Sequence, residues 1–200
     1  MKPTPLVKNS VGRPLEFDKE EAIQSAMEKF WEKGYVATSL RDLLDCMGIS
    51  RGSFYHAFQS KEDLFALCMN RHLTVMIAEL RSLLEHSPSG RAFFETVFLN
   101  TASDLRPRSS FIMNSVRELA SENPQLLPVA HRALEEYSNV LSDAVAIGKS
   151  DGSIKATTAT KSLGYYLVSA LSGLKSLVQL GMPASELSQV SKAAMMALEH

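Results

Sequence analysis

The run Thr38-Ser39-Leu40-Arg41-Asp42-Leu43-Leu44-Asp45-Cys46-Met47-Gly48-Ile49-Ser50-Arg51-Gly52-Ser53-Phe54-Tyr55-His56-Ala57-Phe58-Gln59 decides the fold. Before Gly48, Leu40, Leu43, Leu44 and Met47 recur at helical steps; after it, Phe54, Ala57 and Phe58 do the same. That period predicts two short helices. Thr38 or Ser39 caps the first and Ser50 caps the second, because a side-chain oxygen there accepts an otherwise unpaired first-turn N–H. A turn this tight requires positive φ, which glycine adopts without steric cost. Leu43, Met47, Ile49, Phe54 and Ala57 then fall where two helices crossing at a steep angle must pack. Arg51, Ser53, Tyr55 and His56 remain on the outer face, as donors and acceptors suited to bases and phosphates. On this pattern alone, an ordinary corner of two helices with a polar outer face reads the same.

Upstream, Asp18 caps a helix with Glu21 three residues on, and Ala22, Ile23, Ala26, Met27, Phe30 and Trp31 form its apolar face up to Gly34. Residues 1–17 have no periodicity and read as a flexible basic arm. Downstream, Ser60 and Asp63 open a fourth helix with Leu64, Leu67, Cys68, Val75 and Leu80 facing inward, ending before Pro88 and Gly90. Further helices are predicted over 91–102, 111–120, 126–148 and 157–180, and from about 184 onward, with a loop containing Pro107 between the first two. No stretch alternates with period two, so the fold is all-α. A three-helix helix-turn-helix unit over 18–61 precedes a helical unit over 62–200. The closing Leu198-Glu199-His200 reads as an appendage of the kind a purification tag leaves.

Composition excludes several classes. Hydrophobic residues make up 45% of the 200 and charged residues 22%, enough to bury a core and too few charges for a disordered chain. The uncharged run from Ser162 to Leu174 is too short to span a bilayer, and no apolar signal segment follows the N-terminal charges. No membrane partner is expected, and a cytoplasmic location fits. Net charge is −1, so non-specific attraction to nucleic acid is modest.

Several stretches carry a more specific resemblance. Phe17-Asp18, Phe30-Trp31-Glu32-Lys33-Gly34-Tyr35, Thr38-Ser39-Leu40, Met47-Gly48-Ile49-Ser50-Arg51-Gly52-Ser53-Phe54-Tyr55 and Phe58-Gln59-Ser60-Lys61-Glu62-Asp63-Leu64 follow one another without a gap over residues 16–65. They resemble the N-terminal domain of the tetracycline-repressor (TetR-like) family. The resemblance implies a transcriptional regulator, most simply a repressor, that binds a palindromic operator as a homodimer and is released by a small-molecule effector. It implies no enzyme activity and no cofactor. Carried over by position, Thr38 and Arg41 touch the phosphate backbone, and Ser50, Arg51 and Ser53 reach base edges. Arg51 matches guanine O6 and N7 together. Tyr55 and His56 are the phosphate and base contacts at mid-helix, and Lys61 is a phosphate clamp. Leu44 departs from the family pattern, which favours a small residue there. Gly12-Arg13-Pro14 is either the core of a minor-groove hook, with Arg13 inserted, or part of a plain tail.

A single recognition helix reads few base pairs, so dimerisation is expected. Gly164, Ser169, Ala170, Ser172 and Gly173 permit close helix approach, and Leu167, Leu171 and Leu174 add apolar area, so Gly164, Leu167, Leu171 and Leu174 are the candidate interface. Phe94, Phe98, Met113, Tyr137 and Tyr166 are candidates to line a pocket for an apolar effector. The runner-up reading is a helical DNA binder without an effector, architectural or redox-gated. Gly48-Ile49-Ser50-Arg51-Gly52 spells a nucleophile elbow, but that motif needs a preceding strand and the pattern here is helical. His131 and Glu135 stand four apart and read as a solvated face, with no metal site expected. Cys46 and Cys68 lack basic neighbours and read as inert thiols.

Overall fold

Side-chain oxygens open each of the first four helices. The structure, a computed structural model, describes residues 17–104 and 111–199, with the side chains at 117, 120–122 and 124 excepted. Asp18 accepts from the N–H groups of Glu20 and Glu21 to start α1 (Lys19–Lys33). Ser39 and Asp42 form a reciprocal capping box at α2 (Leu40–Met47), so Ser39 is the cap. Ser50 starts α3 (Arg51–Phe58) and Ser60 starts α4 (Lys61–His86). Gly34 at φ +83° and Gly48 at φ +64° close α1 and α2 in the backbone region that L side chains avoid.

The remaining helices are α5 (Gly90–Ser103), α6 (Phe111–Glu122), α7 (Leu127–Ser150), α8 (Thr160–Gln179) and α9 (Ala184–Met195). Among the described residues there is no strand, and the chain is all-α. Residues 1–16 of the basic arm, including Gly12-Arg13-Pro14, and the segment containing Pro107 lie outside the described residues.

Two apolar clusters organise the helices. The first gathers Phe30, Leu43, Phe54, Phe58 and Phe65 of α1–α4, then continues into Phe111, Ile112 and Leu119 of α6 and Ala130 and Ala133 of α7. The second joins Phe93, Phe94 and Phe98 of α5 to Leu141 and Val145 of α7, Leu167 and Leu171 of α8 and Leu187 of α9. The buried core thus does not divide at residue 61; the recognition helices share theirs with α6 and α7. On α4 the inward face is Leu64, Phe65, Cys68, Met69 and Leu73. Leu67 and Val75, expected inward, are exposed, because the contact with α1 and α7 turns the Phe65 and Met69 edge of the helix to the core. Leu198 is also wholly buried, and its carbonyl accepts from the N–H groups of Lys155 and Ala156, so Leu198 packs as part of the fold.

At the junction of α1, α4 and α6, His72 lies edge-on to Trp31 at 4.9 Å and to Phe111 at 5.5 Å between ring centroids. Burial lowers its pKa from 6.5 to about 4. The unfolded chain therefore binds a proton there before the folded chain does. The neutral imidazole contributes its full stability above pH 6.5, and that contribution is lost as pH falls toward 4. Urea titrations across that range are expected to show stability declining with acidity, with a shallower decline in His72→Phe; equal slopes in the two proteins would place the titrating group elsewhere.

Candidate nucleic-acid interface

The helix-turn-helix is built from buried contacts beneath the Gly48 turn. Leu43 and Phe54 are completely buried, and Leu44, Met47, Ile49 and Ala57 pack half-buried beside them. A Cβ at Gly48 would meet nothing within 4 Å, so the left-handed backbone, and not lack of room, is what favours glycine there. Leu44 fits at the edge of the first cluster.

This packing leaves Arg51, Tyr55 and His56 exposed on α3, and Arg41 exposed on α2. Tyr55 is 50% exposed, with its ring edge against Phe54. The Arg41 guanidinium lies 3.7 Å from Asp45 across two largely exposed side chains, a pairing weak enough for a phosphate to displace. Ser50 stands exposed at the tip of α3, where its oxygen accepts from the Ser53 N–H at 3.1 Å and lies 2.9 Å from the half-buried Ser53 hydroxyl. Thr38 differs from its expected role. It is wholly buried and its hydroxyl donates to the Gly34 carbonyl at 2.6 Å, so that proton is engaged within the α1–α2 turn.

Lys61 is half-buried, its ammonium 4.3 Å from the centroid of the Tyr35 ring. Burial pulls its pKa down, and Glu62 and Glu118 oppose that shift. Tyr35, to which the motif reading gave no role, is the ring on which Lys61 rests. It is buried, its hydroxyl donates to Glu62 at 2.8 Å and accepts from Asn123 at 3.2 Å, and its backbone N–H donates to Glu118 at 2.9 Å. Glu118 lies 83 residues away in the chain, a separation that no local spacing rule detects.

The connection from α3 to α4 is strained. Gln59 has φ +61° and ψ −53°, the only positive φ among described non-glycine residues, and the Ser60 N–H donates back to the Phe58 carbonyl at 2.7 Å. This is a γ-turn of the rarer hand, which L residues adopt at a cost.

The other predicted residues are distributed differently from expectation. Gly164, Leu167, Leu171 and Leu174 are buried within the chain's own second cluster. A Cβ at Gly164 would run into Ser142 and lie 2.7 Å from the Ser138 carbonyl, so its small size serves the fit of α8 on α7. Phe94 and Phe98 are buried in that cluster, with Met113 and Tyr137 packed against it. Tyr166 is 43% exposed on the outer face of α8, apart from those four. An open groove of about 800 Å³ runs between α5 and α9; Phe98, Leu99, Leu187 and Met196 line it, and of the five expected pocket residues it includes Phe98 alone.

Cys68 is buried with its thiol against the Ile23 carbonyl, and burial pushes its pKa up. Burial also raises the Cys46 thiol, with Lys29 opposing. His131 and Glu135 are exposed on α7. Among the described residues, no group of three or more His, Cys, Asp or Glu is placed to hold a metal, and no helix is long and apolar enough to cross a membrane.

Comparison with known proteins agrees with this geometry. The model of "bacterial regulatory proteins, tetR family" matches residues 22–68. The helix-turn-helix transcriptional regulator YezE of Bacillus subtilis is 33% identical over 138 residues, covering 67% of this chain and 69% of YezE. The repressor ComR of Escherichia coli is 43% identical over 70 residues, 35% of this chain and 33% of ComR. Among solved structures, a cysteine-substituted form of the TetR family regulator CifR, complexed with 26-base-pair operator DNA, is 29% identical with a TM-score of 0.81. That match covers 94% of this chain and 100% of CifR.

Replacing Gln59 by glycine removes the backbone strain while leaving the Phe58–Ser60 turn in place. Gln59→Gly is expected to stabilise the protein by about 1 kcal/mol, after allowing for the greater freedom of glycine in the unfolded chain. Thermal melts would register this as a rise of about 2–4 °C; a fall would mean that the Gln59 conformation is not strained.

Proposed function

Because the chain belongs to the tetR family of bacterial regulatory proteins, we propose that this DNA-binding transcriptional regulator is a dimeric repressor, freed from a palindromic operator by a small apolar molecule. It is not an enzyme. The observation that carries the reading is the exposed face of α3. Arg51, Tyr55 and His56 stand clear of the chain on a helix that Ser50 caps and that Leu43 and Phe54 hold from behind. CifR held on operator DNA, with the same fold over nearly the whole chain, supports duplex DNA as the partner.

In this reading residues 18–61 are the recognition unit and residues 62–200 bind the effector and the second copy. Arg51 reads a base edge, with Ser50, Ser53 and His56 beside it. Arg41, Tyr55 and Lys61 hold phosphates, Thr38 supports that surface through the turn it closes, and Arg13 extends along the minor groove. The second copy packs against the outer faces of α8 and α9 and the residues just after each, where Tyr165, Tyr166, Leu180, Val190 and Met196 are exposed apolar surface. Gly164, Leu167, Leu171 and Leu174 act one layer deeper, setting the pose of α8 on α7. The effector lodges among Phe94, Phe98, Met113 and Tyr137, between α5, α6 and α7. Binding there favours a state whose two recognition helices no longer match successive major grooves, roughly 34 Å apart. A regulator of a bacterial chromosome works in the cytoplasm.

Selection of bound sites from random-sequence duplex DNA at physiological salt tests the reading, with enrichment of a palindrome expected. Enrichment of nothing, or of A·T-rich tracts alone, would favour an architectural binder. On the selected duplex, Arg51→Ala is expected to cost about 1–3 kcal/mol and relax preference at one base position. Lys61→Ala is expected to weaken all duplexes alike and flatten the salt slope. Unchanged binding by both folded variants would move the DNA surface away from α3.

A further inference from the structure

We propose that Glu118 is the positioning residue that fixes the recognition unit on the C-terminal helices in the orientation that grips operator DNA. The proposal deepens the repressor reading and rests on it. Both carboxylate oxygens accept from the backbone of one turn: Oε2 from the Tyr35 N–H at 2.9 Å and Oε1 from the Val36 N–H at 2.7 Å. That turn joins α1 to α2, so the contact reaches from α6 into the helix-turn-helix unit itself.

The approach depends on Gly34. A Cβ at that position would stand 2.9 Å from each Glu118 oxygen, inside any contact that real side chains make. Two parallel charge-assisted bonds define an angle as well as a distance, which apolar packing alone does not. A methyl group slides across a greasy surface at little cost, whereas a carboxylate turned away from two N–H groups loses both bonds.

The same end of α6 holds the turn a second time. Asn123, just beyond the helix, donates to the Tyr35 hydroxyl at 3.2 Å. That hydroxyl donates to Glu62, and the Lys61 ammonium rests over the ring. The side chain proposed to clamp a phosphate is therefore seated on a residue that α6 grips at both its backbone and its hydroxyl.

The other end of α6 faces the proposed effector. Met113 packs against the second cluster, while Phe111 and Ile112 belong to the first. A molecule lodged at Met113 displaces α6 along or about its axis, and Glu118 carries that displacement to the α1–α2 turn.

Glu118→Gln tests this in the full-length chain. It keeps the side-chain shape but turns one acceptor into an amide donor, so one of the two N–H groups loses its partner. Affinity is measured at one salt concentration for the duplex that the unaltered chain enriches and for a scrambled duplex of equal length. Melting temperature and amide exchange at Tyr35 and Val36 are measured beside it. Expected are an affinity for the enriched duplex lowered about tenfold or more, an unchanged affinity for the scrambled one, a nearly unchanged melting temperature and faster exchange at the two amides. Merely structural damage would weaken both duplexes and lower the melting temperature. Equal weakening on both duplexes, or undiminished affinity for the enriched one, overturns the proposal. Should Glu118→Gln fail to fold, Glu118→Asp, which keeps the charge but shortens the reach to the two N–H groups, is read in the same way. If the unaltered chain enriches no duplex, the repressor reading falls and takes this proposal with it; if it enriches one and Glu118→Gln binds that duplex equally well, this proposal alone falls.

Discussion

The DNA-facing end of the molecule depends on the closure of Leu43 onto Phe54 beneath the Gly48 turn. Both side chains are fully buried, so the crossing of α2 and α3 is set by two shapes that must fill one space. The Gly48 backbone makes the turn sharp enough for that contact, and the caps at Ser39 and Ser50 fix where each helix begins. Phe54 also meets Phe58 at 5.7 Å, and Phe58 belongs to the same cluster as Phe30 and Phe65. The exposure of Arg51, Tyr55 and His56 is a consequence of this arrangement, since they occupy the face that the buried contact leaves outside.

That closure does not end at the recognition unit. The cluster beneath α1–α3 takes in Phe111, Ile112 and Leu119 of α6, and Trp31, His72 and Phe111 meet edge to face at the junction. A close-packed interior transmits displacement instead of absorbing it. A helix that moves in the C-terminal half cannot leave the recognition helices where they were unless the shared cluster opens, and opening it exposes several aromatic side chains to water. Rigid-body movement of the first three helices on α4 and α6 is the less costly response.

The helices were legible in the sequence because their signals are local. Asp18, Ser50 and Ser60 cap where their side chains and spacing predict, and the predicted bounds of α5–α8 lie within a few residues of those observed. What the pattern left open was the assignment of partners. A small residue at helical spacing marks close approach without saying to what, and Gly164 meets Ser138 and Ser142 of its own chain. Leu67 and Val75 obey the same period as Leu64 and Cys68 yet face solvent, because a helix packed on two sides selects its buried edge by tertiary contact. Thr38 belongs to a motif whose positions suggest DNA contact, but its hydroxyl is used inside the turn. Glu118 has no sequence signal, since a carboxylate accepting from two backbone amides leaves no pattern at short range. The strained Gln59 is invisible for a related reason: nothing about glutamine announces positive φ.

The charge distribution explains why such positional devices matter here. With a net charge of −1, the chain has little general attraction for a polyanion to draw on. Of the cations on the recognition face, Arg41 is loosely paired with Asp45, Lys61 rests on Tyr35, and Arg51 stands free of any recorded ion pair among the described residues. Affinity must therefore come from several modest contacts made at once, each needing its own register on the duplex. Contacts that work only together are lost together when their carrier rotates. A protein that held DNA by excess charge would tolerate a small tilt of its recognition helices. One that holds it by placement does not, so the proposed shift of α6, passed through the α1–α2 turn, would need to be only small to end binding.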